Sequence, residues 1–209
     1  MKRLLALVAA LLVSGAALAQ EAVKLPAPRK VGGMPLMEAL AKRATSRAFD
    51  PKPLSPQQLG DALWAGLGVN RADGKRTAPT SRDRRELETY VLEAKGVSRY
   101  DAAAHALVPV VPDDLRAVQS TQEFVRDAPV TFVYVADLAK MSEGTPAEKE
   151  ATASFDTGFV SQNVYLFCAS EGLATGVRSW VDRELLAKRM KLRPDQRVVA
   201  AQSIGYPKK

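Results

Sequence analysis

Two arginines and two hydroxyls fall within one short run, Arg43-Ala44-Thr45-Ser46-Arg47, where the chain leaves a short helical segment. A guanidinium is a rigid fork of donors, and each charge-assisted bond to a phosphate oxygen contributes roughly 1.5–3 kcal/mol. The run is a candidate phosphate cradle; a solvated basic helix end is its other reading. Gly66-Leu67-Gly68 invites a dinucleotide-binding reading, but it follows a helix rather than a strand and lacks the third glycine, so that reading fails. Gln162 and Asn163 are polar groups in a largely apolar helical stretch, and they need partners in the core, across a subunit interface or from a ligand. Cys168 is the only cysteine and His105 the only histidine. That excludes an intramolecular disulfide and a cysteine metal cluster, and it leaves Ser-His-Asp schemes short of partners. His105, in an alanine-rich turn, reads as a satisfied polar or surface group, and Cys168, in an apolar helix, as an inert small hydrophobe. No metal is expected; an enzyme built on this chain needs an organic cofactor to carry its chemistry.

Such residues must be positioned by a folded domain. The chain has 209 residues, 46% hydrophobic and 25% charged, a composition that excludes a disordered, collagen-like or polytopic membrane chain. The formal charge of +7 is dispersed in short runs such as Lys188-Arg189, so no nucleic-acid partner is expected. Residues 1–19 read as a secretory signal. Met1-Lys2-Arg3 is a basic start, Leu4 to Val13 an apolar run too short to span a bilayer, and Ala17-Leu18-Ala19 a small-residue cleavage site. That predicts a mature chain from Gln20, periplasmic or secreted, without a stable membrane anchor.

Residues 20–33, with Pro26, Pro28 and Gly32-Gly33, predict an extended lead-in, and residues 34–209 a single domain. Met34 to Lys42 is a short helix. Ser55-Pro56-Gln57-Gln58 is a capping-box start, and Leu59, Leu63, Trp64 and Leu67 follow at helical spacing. Val69 to Ser81 cannot be regular and is long enough to need a functional reason. Strands are expected at Leu87–Glu93, Val97–Asp101, Ala106–Val111, Val130–Val135, Gly176–Val181 and Arg197–Ile204. Asp113-Asp114 is expected to open a helix, and Asp182 to cap another that runs to Lys191. Ala147 to Glu171 is the longest helix, apolar nearly all round and so destined for a core or a subunit interface. Strands and helices without regular alternation indicate an α+β fold.

Four stretches in order then carry a resemblance. They are Ala41-Lys42-Arg43-Ala44-Thr45-Ser46-Arg47-Ala48-Phe49; Leu63-Trp64-Ala65 through Gly68, Asn70-Arg71, Gly74 and Arg76-Thr77-Ala78-Pro79-Thr80-Ser81; Gly158 with Gln162-Asn163, Leu166 and Gly172-Leu173; and Gly205-Tyr206-Pro207. Together they resemble the flavin-dependent nitroreductase family, nearest its azoline-oxidising dehydrogenase branch, over most of residues 34–207. The resemblance implies a mixed sheet flanked by helices, an intertwined homodimer, and FMN at the subunit interface.

By the same resemblance Arg43, Thr45 and Arg47 hold the phosphate and ribityl chain, and Ser81 and Asp83 lie near the flavin ring. Gly176, Val177, Arg178 and Ser179 bring backbone to the ring, with an N–H aimed at its N5, and Lys208 or Lys209 reaches the phosphate. The flavin bears the chemistry, so no catalytic side chain is named. Where the family usually reads Gly-Asn-x-Gln-Pro after Ser81, this chain has Arg82-Asp83-Arg84-Arg85-Glu86. Asp83 can accept from the flavin N3–H but cannot donate to a ring carbonyl. The implied activity is a ping-pong oxidoreductase that passes electrons from a small-molecule donor to a nitroaromatic, quinone or similar acceptor. The competing expectation is a non-enzymatic flavin- or ligand-binding protein on the same scaffold.

Overall fold

In the computed structural model, which describes residues 21–118 and 120–209, the chain runs β1 (Val23–Lys24), α1 (Leu36–Lys42), β2 (Phe49–Asp50), α2 (Pro56–Leu67), β3 (Leu87–Glu93), β4 (Gly96–Asp101), β5 (Ala106–Val111), α3 (Phe124–Asp127), β6 (Val130–Asp137), α4 (Pro146–Glu171), β7 (Ala174–Arg178), α5 (Arg183–Arg189) and β8 (Gln196–Pro207). The expected signal segment, residues 1–19, lies outside the described residues.

The strands form one sheet in the order β1-β5-β4-β3-β6-β8-β2, with β7 also paired to β8. The α+β class holds, and every pairing in the sheet is antiparallel. β3, β4 and β5 follow one another through short turns, which only antiparallel neighbours permit. β6 is buried at every position because helices cover both faces of the sheet. Phe132 and Tyr134 pack with Leu63 of α2 and Val160 and Val164 of α4. Val133 and Val135, alternating with them, pack on the other face with Leu186 and Met190 around α5.

The helix starts follow their sequence signals. Ser55 and Gln58 close a capping box on α2 with Pro56 in its first turn, and Thr145, Pro146 and Glu148 repeat the device on α4. Gly172 ends α4 at φ 67°, a conformation costly for any residue with a Cβ. One expectation is corrected. Asp113-Asp114 opens no helix: the Asp114 carboxylate folds back on the Arg116 N–H and guanidinium, leaving only a turn. This is the local side-chain bonding by which Asp competes with helix. Within one chain α4 is covered on one side only. Ala153, Val160, Val164 and Cys168 face the core, whereas Phe155 (69% exposed), Gly158, Phe159 (37%) and Gln162 form an uncovered flank.

The lead-in is tied down. β1 pairs with β5, and the Arg29 guanidinium bonds both Asp61 and Glu171. His105 is the satisfied polar group expected: Nε2 donates to the Pro26 carbonyl (2.9 Å), which leaves Nδ1 to accept from the Tyr100 hydroxyl (2.8 Å).

Candidate functional site

The run 43–47 leaves α1 and lies along the edge of β7. The Ser46 N–H donates to the Thr175 carbonyl at 2.9 Å. A Cβ placed on Gly176 would sit 2.8 Å from the Ser46 carbonyl oxygen, so only glycine lets these backbones meet. The end of β8 returns to the same place: Phe49 pairs with Pro207 and Asp50 with Tyr206, and the Lys208 N–H donates to the Ala48 carbonyl at 3.3 Å. Residues far apart in sequence (43–47, 176–179 and 208) are thus assembled at one rim.

Tyr165 of α4, which the sequence reading passed over, joins the parts of that rim. Its hydroxyl lies 2.9 Å from Thr45 Oγ1 and accepts the Val177 N–H at 2.9 Å. The Arg43 guanidinium stacks over its ring, 5.4 Å from the centroid. The Val177 N–H is therefore engaged by Tyr165, which removes it from the donors that 176–179 offer a ligand. Neither Arg43 nor Arg47 has a carboxylate partner among the described residues. Cations left without carboxylates beside hydroxyls and a glycine-permitted backbone approach suit a phosphorylated cofactor.

Arg47, Val177, Arg178 and Ser179 line a cleft of about 560 Å³, completed by Thr157, Gly158 and Ser161 of α4 and by Arg183. No lining residue is acidic. Arg178 donates to Ser203 Oγ at 2.9 Å and lies over the Phe124 ring. Burial pushes its pKa down to about 10, so it still carries its charge at neutral pH.

Ser81 and Asp83 are not brought to this rim within one chain. Ser81 lies on the other flank of α4, in a cleft of about 570 Å³ whose wall includes Pro79, Phe155, Asp156 and Phe159. Its N–H donates to Asp156 Oδ2 at 2.8 Å. Asp83 is exposed and held in a two-bond pair with Arg85 (2.9 and 2.7 Å), and that bonding draws its pKa below the usual carboxylate range. Its two oxygens are spoken for by a neighbour two residues away.

Behind Ser81, Glu86 is fully buried, and as a carboxylate neither of its oxygens has a hydrogen-bond partner. It faces Asp156, and burial raises its pKa to about 7. In the sequence Glu86 stands out only as part of the departure after Ser81, and Asp156 was passed over. Asp156 did leave a signal: it is the only acid between Glu150 and Glu171, three residues after Ala153 and four before Val160, on the buried stripe.

The nitroreductase family profile matches residues 40–206. A Methanocaldococcus jannaschii protein carrying a nitroreductase name is 27% identical over 161 residues, covering 72% of this chain and 81% of that protein. A solved structure from Ralstonia eutropha, also bearing a nitroreductase name, is 38% identical and superposes with a TM-score of 0.87 over 92% of both chains. A Desulfovibrio desulfuricans structure in complex with FMN, 18% identical, shares the fold with a TM-score of 0.63, covering 85% of this chain and 89% of that one. The family match over residues 40–206 and the 38% identical structure place the chain in the nitroreductase family of flavin-dependent oxidoreductases.

Proposed function

We propose that the protein is an FMN-dependent oxidoreductase that works as a homodimer and reduces a small organic acceptor such as a quinone or nitroaromatic. The observation that carries this reading is the convergence of Arg43, Thr45, Arg47, Gly176–Ser179 and Lys208 at one rim. Arg43, Arg47 and Lys208 would hold the phosphate, and Thr45 the ribityl chain. Gly176–Ser179 would lie against the ring, with Val177 already anchored to Tyr165 and so fixed in place. When bound, FMN supplies reversible two-electron chemistry that no side chain here supplies.

The dimer is supported by the exposed apolar flank. Phe155 and Phe159 pack edge to face at 4.9 Å. α1, packed along α4, adds Leu36 (63% exposed) and Met37 (75%). A flank this apolar is an interaction surface. The sequence features of residues 1–19 support export, which makes a pyridine nucleotide an awkward donor. The stretch from Leu63 to Ser81 supports placement near the azoline-oxidising branch.

The test is the absorption spectrum of purified protein after incubation with FMN and desalting, together with sedimentation. Flavin bands at one per chain in a dimer are expected. A colourless protein that rejects FMN would leave the ligand-binding reading in front, and a monomer retaining stoichiometric FMN would overturn the interface site.

A further inference from the structure

A buried acceptor lines the cleft that holds Arg47 and the 177–179 backbone. It belongs to Gln122, whose side-chain oxygen Oε1 is shut off from solvent and has no hydrogen-bond partner among the described residues. A buried carbonyl left unpaired costs more than its bond would yield, so such an atom points to a group that arrives from outside the chain. The segment that carries it is tied to both parts of the rim. The Gln122 N–H donates to Ser120 Oγ at 3.3 Å, and its main-chain carbonyl accepts the Val125 N–H at 3.3 Å. Two residues on, Phe124 stacks on Phe49 with 6.3 Å between centroids, and the Arg178 guanidinium lies 5.7 Å from the Phe124 centroid. Phe49 follows the 43–47 run and pairs with Pro207. Gln122 is thereby fastened to the cradle strand and to the 176–179 wall at once.

The chemistry of the cleft sets this atom apart. Arg47, Arg178 and Arg183 bring only donors, and no lining residue is acidic. The hydroxyls of Ser154, Thr157 and Ser161 are turned back on their own helix, donating to the carbonyls of Glu150, Ala153 and Gly158 at 2.8, 2.7 and 3.1 Å. Gln122 supplies the one side-chain carbonyl among the described lining residues. An oxidised flavin ring has the complementary need: a single N–H, at N3, set between two carbonyls. An amide carries an acceptor and a donor side by side, and it pairs with such an edge in the two-bond manner by which Gln reads adenine. Asp83, which the sequence resemblance puts near the ring, offers no donor, and both its oxygens are bonded to Arg85.

We propose that Gln122 reads the pyrimidine edge of FMN, with Oε1 accepting from N3–H and Nε2 donating to a neighbouring ring carbonyl. This rests on the FMN reading above. It gives Gln122 the donor that the family pattern supplies after Ser81 and that Asp83 takes away. The arginines of the rim recognise charge and suit any phosphate. Gln122 is the group that distinguishes the ring, because it demands a hydrogen at N3.

The test compares FMN with 3-methyl-FMN, whose N3 carries no hydrogen, by quenching of flavin fluorescence on titration into the flavin-free full chain. Wild type should bind FMN about tenfold more tightly than the methyl analogue, the difference between a paired and an unpaired buried acceptor. Gln122→Ala leaves room for the methyl group; it should bind FMN about tenfold more weakly and bring the two affinities together. Gln122→Glu keeps the acceptor and the side-chain length, so it should keep the preference for FMN. Equal wild-type affinities overturn the proposal while FMN binding stands, since water then satisfies Oε1. An unchanged preference in Gln122→Ala, with both flavins weakened alike, assigns the residue a packing role and overturns it. So does a preference that closes only because 3-methyl-FMN gains, which is steric exclusion without a hydrogen bond. Loss of the preference in Asp83→Ala but not in Gln122→Ala gives the N3–H to Asp83 and overturns it as well. A protein that binds neither flavin overturns the FMN reading itself and Gln122's role with it.

Discussion

The clefts on the two flanks of α4 are held open in opposite ways. On the Arg47 side, main-chain bonds fix the frame: Ser46 to Thr175, β2 to β8, Val177 to the Tyr165 hydroxyl. Arg43 and Arg47 of that rim have no carboxylate partner among the described residues. On the Ser81 side the reverse holds. Arg82, Asp83 and Arg85 all sit at positive φ (56°, 52° and 52°), each costing about 1–2 kcal/mol for a residue with a Cβ. The charges there are used up in holding the loop: Asp83 binds Arg85, Arg82 binds Glu143, and Lys140 reaches the Arg85 carbonyl. The Thr80 hydroxyl adds a bond from the Arg85 N–H. One wall therefore offers charge to a ligand, and the other offers shape and a buried acid.

The sharpest way to break that contrast is to remove a cation from each wall. Arg43→Ala should raise the FMN dissociation constant about 10–100-fold through lost phosphate pairing, read by quenching of flavin fluorescence. Arg85→Ala, which removes an exposed pair with Asp83, should change it by no more than about threefold. Equal losses would show that both walls hold the phosphate and that the division is false.

How much of this was legible in the sequence follows the same division. The family could be read because Arg-x-Thr-x-Arg and the Gly-Tyr-Pro ending are compact local patterns, and the helix starts because capping boxes are local too. Asp114 misled because a short acidic side chain near a helix start bonds equally well to a turn. For α4 the sequence left core and subunit interface open, because period alone does not separate a helix buried within one chain from one that leaves Phe155 and Phe159 outside. Tyr165 was invisible because its partners, Thr45 and the Val177 N–H, are brought to it by β7 and α1, and nothing in its own neighbourhood names them. Glu86 was read only as a departure from a family pattern. Its meaning depends on burial opposite Asp156, seventy positions along the chain.

The second prediction concerns the buried acid and stability. The folded-state pKa of Glu86 is raised from the ordinary carboxylate range to about 7 by burial. The folded protein thus keeps a proton that the unfolded chain releases. Stability from this group is present in full below the unfolded value and is lost as pH rises through about 7, where the folded state must also ionise. Glu86→Gln should match wild type near pH 4 and exceed it near pH 8 by on the order of 2 kcal/mol, measured by urea unfolding at both pH values. Parallel wild-type and Glu86→Gln profiles would show the carboxyl to be charged throughout, and the two walls would then differ in strain alone.

The smallest expected effect tests the other wall's rigidity. Tyr165→Phe keeps the ring, and with it the stacked Arg43 guanidinium, but removes the hydroxyl between Thr45 and the Val177 N–H. Each lost bond is worth about 0.5–1.5 kcal/mol. Because Val177 is half-buried and Thr45 exposed, water replaces part of the loss at Thr45 and less of it at Val177. Unfolding stability should therefore fall by about 1 kcal/mol, and FMN affinity by only a few-fold. The affinity loss should vanish in an Arg43→Ala background if the hydroxyl acts by holding Thr45 and the 176–179 backbone in register with the arginine. A full additive loss there would mean that the hydroxyl binds the ligand on its own account, and that this wall's frame and its charges are not separate after all.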